Sequence, residues 1–192
     1  MTEPIVNLDN IPFPPHWINA YLFNKLGNDY GPSRVGIGPD QTIVPFFAPT
    51  TTGREEIYQQ LVSNTGLVQP TMITYDRLMR FRVSPFYGVK REQLIYTIYG
   101  SVQSVQNINI IVSQLLDRED IAAQEVNDWA RDNGISLNGE TIPPNVFFHN
   151  FRVYQIDETR DILELNSVNM SEWASKIIIE YDYHAANGTT FK

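Results

Sequence analysis

Trp173–Tyr183 alternates almost without error between apolar and polar side chains, with Ile178 as the exception, and this period of two predicts a half-buried β-strand. Thr71–Val83 alternates in the same way, with Arg77 as the exception, which predicts that Thr74, Asp76, Arg80 and Arg82 share the polar face. Between these two segments, Gln93–Tyr99 is apolar or aromatic on both faces, as expected of a central strand. Three such segments in one chain predict a β-sheet.

Two helices are predicted between the strands. Apolar residues recur with the helical period at Val105, Ile108, Val112 and Leu115, which predicts an amphipathic helix over Val105–Leu116. A second helix, Glu119–Asn133, is predicted to bury Ile121, Ala122, Val126 and Trp129. Gly134 supplies its C-terminal stop. Residues 134–145 are expected to be a polar loop, since Asn138-Gly139 and Pro143-Pro144 are turn signals.

The order of elements favours one fold class. A short strand, Thr42–Phe47, precedes a capped helix across residues 50–61, and strands at Val146–Ile156 and Asp161–Leu165 precede the last one. Strand pairs joined by loops favour an antiparallel sheet over βαβ units. We therefore expect an α+β fold, with a mostly antiparallel sheet of four to five strands and helices packed on one face.

Residues 1–40 differ from the rest, because they hold six of the 12 prolines. Proline fixes φ and removes a hydrogen-bond donor, so this stretch is expected to be an irregular arm rather than sheet. One short helix is predicted after Pro14 and Pro15, ending at Gly27. Two interpretations stay open for its aromatic residues: contact with another chain, or cover for the chain's own core. The first predicts that Trp17, Tyr21 and Phe23 are exposed interface residues. The remainder, 41–192, is expected to be a single α+β domain.

Charge and composition exclude several classes of protein. The net charge of -8 argues against a dedicated duplex-DNA binder, which needs clustered Lys and Arg. The absence of cysteine excludes disulfide scaffolds, thiolate zinc sites and cysteine nucleophiles. No apolar run approaches the roughly 20 residues that span a bilayer, so no membrane association is expected.

Catalytic motifs are not evident in the sequence. The three histidines, His16, His149 and His184, have no metal-ligand spacing and are expected to be surface or structural residues. Neither a nucleophile elbow nor a P-loop occurs. Carboxylate pairs such as Glu119/Asp120 and Asp157/Glu158 fall at predicted helix starts or turns, where they cap backbone groups. The sequence therefore predicts a protein that is not an enzyme and holds no catalytic residue, metal or cofactor.

Two segments carry opposite charge. Residues 77–91 hold five basic residues and no acid, whereas 117–132 hold six acids and two arginines. Oppositely charged patches suit a head-to-tail contact between identical subunits. The basic interface candidates are Arg80, Arg82, Lys90 and Arg91, and the acidic candidates are Glu119, Asp120, Glu125 and Asp128. The alternative is that these charges pair within one chain or are solvated.

The order and lengths of these segments resemble a known family. The likeness rests on five segments in this order: Ile43-Val44-Pro45-Phe46 followed by a helix, a long aromatic strand from Pro70 to Arg82, the strand Gln93–Tyr99 after Lys90, an amphipathic helix, and a closing strand at Trp173–Tyr183. They resemble the tail terminator and tail-sheath-stabiliser (tail completion) proteins of contractile-tailed bacteriophages, the T-even type especially. The likeness covers about residues 41–184. The family's arginine-rich opening segment is replaced here by the proline-rich arm.

This resemblance implies a structural virion protein. Such proteins form rings, expected to be six-fold, at the head-proximal end of the tail, where they terminate the tube and sheath and join the tail to the neck. The implied partners are further copies of the chain and the tube, sheath and neck proteins. DNA would only pass through the ring lumen without sequence-specific contacts. The implied location is the virion, with assembly in the host cytoplasm.

Other functions stay open on the residues alone. Another neck or connector protein is one. A small-ligand or peptide-binding α+β module is another, with Phe147, Phe148, Phe151, Tyr96 and Tyr99 as the aromatic residues that could line a pocket. A carboxylate-based hydrolase with a borrowed metal is a third, although no ligand spacing supports it.

Overall fold

The computed structural model of the chain describes residues 14–26, 46–49, 72–82, 88–100, 102–137, 140–165 and 168–185. Within them lie the helices α1 (Pro14–Asn24), α2 (Val102–Leu116) and α3 (Glu119–Asn133). The strands are β1 (Phe46–Pro49), β2 (Met72–Arg82), β3 (Lys90–Gly100), β4 (Ile135–Leu137), β5 (Glu140–Ile142), β6 (Val146–Leu165) and β7 (Val168–Ala185). The helix predicted across residues 50–61, and the arm apart from residues 14–26, lie outside the described residues.

The predicted fold class is confirmed. Five strands form one sheet in the order β1-β2-β3-β7-β6, and every neighbouring pair except the parallel β1–β2 is antiparallel. The helices pack on one face, which we call the core face. The two strands predicted at Val146–Ile156 and Asp161–Leu165 are one continuous strand, β6, paired with β7 along its length. The polar loop predicted over residues 134–145 contains a small separate hairpin, β4–β5.

The core face is built from alternating positions of the central strands. Along β3, Glu92, Leu94, Tyr96 and Ile98 are buried, whereas Ile95, Thr97 and Tyr99 on the other face are half-buried. The prediction of a central strand is confirmed, because β3 is the third of the five strands in the sheet. Helix α2 contacts β3, β6 and β7, and its predicted apolar face is confirmed, since Val105, Ile108, Val112 and Leu115 are all buried.

Helix α3 has the predicted bounds but a partly different buried face. Ala122, Ala123, Val126 and Ala130 are buried, whereas Ile121 is 54% exposed, so its predicted burial is wrong. Ala122, Val126 and Ala130 recur every four residues, and their short side chains let α3 lie close to β6. Ile121 lies beside this row of buried residues and not within it. Gly134 ends the helix with a φ of 66°, and its N–H bonds to the Ala130 carbonyl at 2.9 Å. A side chain there would lie 2.6 Å from Thr141 Cγ2.

Helix α1 covers the core of its own chain. Trp17 and Tyr21 are fully buried, which contradicts the prediction that they are exposed interface residues, whereas Phe23 is 52% exposed. The Trp17 indole N–H donates to Asn145 Oδ1 at 2.8 Å, and the hydroxyl of buried Tyr96 donates to Asn19 Oδ1. Burial raises the pKa of Tyr96. The two aromatic residues face inward because α1 packs on α3.

A β-bulge between Arg77 and Met79 breaks the alternation predicted for Thr71–Val83. Before the bulge, Thr74 and Asp76 lie opposite Thr97 and Ile95 of β3. After it, Arg80 lies opposite Glu92 and Arg82 opposite Lys90. The prediction that these two arginine positions share a face with Thr74 and Asp76 is therefore wrong, because the extra residue shifts the register. Their side chains lie outside the described residues.

Candidate assembly surfaces

The described part of the predicted basic patch pairs within the chain. Lys90 is half-buried. Arg91 donates two hydrogen bonds to the carboxylate of Asp182, at 2.7 and 2.8 Å, and its Nε lies 3.7 Å from Glu180 Oε1. The bond to Asp182 raises the pKa of Arg91 above its ordinary value, and burial lowers it less. Bidentate pairing fixes this guanidinium against its own sheet, so Arg91 is a poor candidate for contact with another subunit.

The predicted acidic patch on α3 is partly paired and partly open. Glu125 lies 2.5 Å from Arg118 Nη2 and accepts a bond from the Tyr21 hydroxyl at 3.2 Å. Asp128 lies 2.8 Å from Arg131 Nη1. Glu119 and Asp120 are exposed. Surface ion pairs of this kind contribute only about 0–1 kcal/mol, and α3 holds five acids against one arginine. The helix surface therefore remains acidic.

An apolar row crosses the sheet on the face opposite the core. Ile95, Ile178 and Tyr154 are consecutive register partners on β3, β7 and β6. The two isoleucines are half-buried, and Tyr154 is 45% exposed. Cross-strand neighbours on one face contact each other, so the three side chains form one continuous patch. We call this patch the outer row.

Cations flank the outer row. Arg152 on β6 and Lys176 on β7 are exposed, and their register partners are Glu180 on β7 and Asp157 on β6. Two acids beside them are engaged: Gln93 donates to Glu180 at 2.9 Å, and Arg91 binds Asp182. Sequence reasoning missed both Arg152 and Lys176. The signal was present in part, because alternation in Trp173–Tyr183 places Lys176 on the polar face.

A groove of about 370 Å³ lies between α3 and the first residues of β6. Its lining combines acid, amide and aromatic groups: Asp120, Ala123, Gln124, Asn127, Asp128, Phe147, Phe148 and His149. Phe147 is 47% exposed, although Phe148 beside it is buried. We call this feature the acidic groove.

Asn127 fixes the floor of the acidic groove. Its Nδ2 donates to the Phe148 carbonyl at 2.8 Å, and its Oδ1 accepts from the Phe148 N–H at 2.9 Å. Strand β6 lies at the edge of the sheet that the described strands form, so its outward backbone groups have no ladder partner among those strands. Asn127 therefore takes the place of a neighbouring strand at that residue.

Asn127→Leu is expected to lower the free energy of unfolding by about 1–3 kcal/mol, because both backbone groups of Phe148 lose their partner. Urea unfolding followed by circular dichroism measures the change. Gln124→Leu is the matched control, since Gln124 lies one turn earlier on the same helix and is exposed. Equal stability of the two variants would show that the bidentate contact contributes nothing.

The structure brings together two histidines that the sequence separates by 35 residues. His149 Nε2 lies 2.7 Å from His184 Nδ1, and the two rings stack with centroids 4.8 Å apart. Phe147 contacts both rings, at 5.4 Å each. Burial, followed by the neighbouring charge of His184, lowers the pKa of His149, whereas Asp182 raises it. The expectation of unrelated surface histidines missed this pair, because strand pairing creates it.

His184→Gln is expected to raise the pKa of His149 toward its ordinary value of 6.5, because the variant removes the repelling imidazolium. A histidine-selective NMR titration measures it. The depressed pKa means that the unfolded chain binds this proton more readily. His149 therefore costs stability as the pH falls below about 6.5, and not above it. An unchanged His149 titration in the variant would contradict the assignment.

Comparison with known proteins leaves the identity open, because no protein-family model and no curated protein matches the chain. Among the described residues, no cluster of three or more His, Asp or Glu side chains is arranged to hold a metal ion. None of the helices in the described ranges is long and apolar enough to cross a membrane.

Proposed function

We propose that this chain is a structural assembly protein that forms a homo-oligomeric ring at the head-proximal end of a contractile phage tail. In that position it terminates the tube and sheath and joins the tail to the neck, with DNA passing through the lumen. The virion is its location, and assembly takes place in the host cytoplasm. A six-fold ring follows from the resemblance of its segments to the tail completion proteins.

The outer row is the observation that carries this proposal. Three apolar side chains in consecutive register positions lie on the face away from the helices, and Tyr154 is nearly half exposed. A contiguous apolar patch with exposed charges at its margin is the composition of a protein–protein interface. It supports self-association more directly than any arrangement of titratable groups in the described residues supports catalysis.

A concentration series of the purified chain tests the proposal. Size-exclusion chromatography with light scattering and negative-stain electron microscopy should show a closed ring with a central hole at high concentration. Tyr154→Asp should keep the subunit folded and shift the population to monomer, whereas Ile110→Asp, an exposed apolar residue on α2, should assemble normally. A chain that stays monomeric at millimolar concentration, and that is absent from the head-proximal tail end of intact particles, would refute the proposed function.

The acidic groove favours a second candidate function, a monomeric module that binds a basic peptide. Of the five aromatic residues expected to line a pocket, Phe148, Phe151 and Tyr96 are buried in the core, and Tyr99 is half-buried on the opposite face. Phe147 and Phe148 do line the groove. Saturable binding of a short lysine-containing peptide to a chain that never assembles would favour this function over the ring.

A further inference from the structure

We propose that the outer row of one subunit, with its flanking cations Arg152 and Lys176, docks against the acidic groove of the next copy of this chain. This inference rests on the proposed ring and names its two contact surfaces. The occupant of the acidic groove is thus a second copy of the same chain.

A closed ring needs a heterologous contact, in which one surface of each subunit meets a different surface of its neighbour. The described residues offer two surfaces of matching chemistry. The outer row is apolar, with an exposed arginine and lysine at its margin. The acidic groove has an exposed Phe147, with Asp120 and Asp128 at its margin. Apolar patches can therefore meet apolar, and cations can meet acids, in a single docking event.

The two surfaces cannot satisfy each other within one subunit. Tyr154 and Phe147 are seven residues apart on the same extended strand, which separates them by roughly 20 Å at about 3.3 Å per residue. Contact between these two surfaces therefore requires two copies of the chain.

Electrostatics favour a second copy over an unrelated acidic partner. At a net charge of -8, most orientations of two copies repel each other. Arg152 and Lys176 are exposed cations, and the neighbouring acids Glu180 and Asp182 are engaged by Gln93 and Arg91. When Arg152 and Lys176 of one copy approach the acidic groove of another, repulsion between the two copies is replaced by attraction. Charge therefore favours this orientation of the two copies. The basic side of the predicted head-to-tail contact thus moves from Arg91 to these two residues.

Charge reversal tests the pairing. Arg152→Glu with Lys176→Glu should weaken assembly by roughly tenfold or more, because several exposed pairs of about 0–1 kcal/mol each reverse sign. Asp120→Lys with Asp128→Lys should have a similar effect, and combining all four changes should restore part of the wild-type assembly. Sedimentation velocity at low salt measures the assembly constant. Circular dichroism checks that each variant is folded. Glu140→Lys, an exposed acid on β5 outside the acidic groove, is the matched control.

The outcomes separate this inference from the proposed function. If the wild type forms rings and both reversed pairs assemble like the wild type, the surface assignment is wrong and the ring stands. The assignment is also wrong if each pair weakens assembly but the fourfold variant recovers nothing. If the wild type never assembles, either alone or on particles, the ring fails and this inference fails with it.

Discussion

Val112→Asp is expected to abolish soluble expression of the chain. Val112 is 2% exposed and lies on the core face of α2, against the central strands. An ionised carboxylate there would be buried among apolar side chains without a partner, which costs at least about 4 kcal/mol. A domain of this size has a total stability of only about 5–15 kcal/mol. Fractionation of the expressed protein, followed by thermal unfolding of any soluble material, measures the effect.

Gln106→Asp is the matched control for Val112→Asp. It introduces the same carboxylate into the same helix at an exposed position, where substitutions usually change stability by about 0.5 kcal/mol or less. The pair of variants separates burial of the charge from loss of helix propensity. A soluble Val112→Asp variant with wild-type stability would mean that α2 does not pack on the sheet through this face.

Glu92→Leu is expected to lower the free energy of unfolding by about 3–5 kcal/mol. The Glu92 carboxylate is fully buried and accepts hydrogen bonds from the hydroxyls of Tyr181 and Tyr183, at 2.7 Å each. Leucine leaves both buried hydroxyls without this acceptor, at a cost of about 1–3 kcal/mol for each.

A mutant cycle isolates the cause of the Glu92 effect. Tyr183→Phe alone removes one donor and should cost about 1–2 kcal/mol. Adding Tyr181→Phe and Tyr183→Phe to Glu92→Leu should recover part of the lost stability, since the two hydroxyls that lost the Glu92 acceptor are then gone. The triple variant could instead be less stable than Glu92→Leu by the sum of the stability losses of Tyr181→Phe and Tyr183→Phe. In that case the hydroxyl–carboxylate bonds are not what stabilises this part of the core.

Helix α1 illustrates the limit of composition as a guide to exposure. Aromatic residues in a proline-bound segment fit an interface as well as a core, and the sequence did not say which surface lay opposite them. Trp17 and Tyr21 are buried within their own chain, because α3 and the region of Asn145 provide both apolar cover and hydrogen-bond partners. Phe23 is on the exposed side and stays a candidate for contact with another chain.

The outer row could not be predicted from the sequence pattern alone either. Alternation predicted which residues of Trp173–Tyr183 share a face, but the outer row requires register across three strands. Ile95, Ile178 and Tyr154 become neighbours only through pairing over long sequence separations. Arg77 interrupts the alternation where the bulge in β2 begins, but the sequence alone did not predict that the register of Arg80 and Arg82 shifts by one residue there.

Elements that depend on neighbouring residues could be predicted from the sequence. The period of α2, the bounds of α3, the stop at Gly134 and the strand character of Trp173–Tyr183 each follow from side chains a few residues apart. Tertiary structure alone decided the burial of Glu92, the pairing of His149 with His184, and the engagement of Arg91 by Asp182. These contacts join residues far apart in the chain, and their energies depend on solvent exclusion and geometry that arise only when the sheet and helices pack.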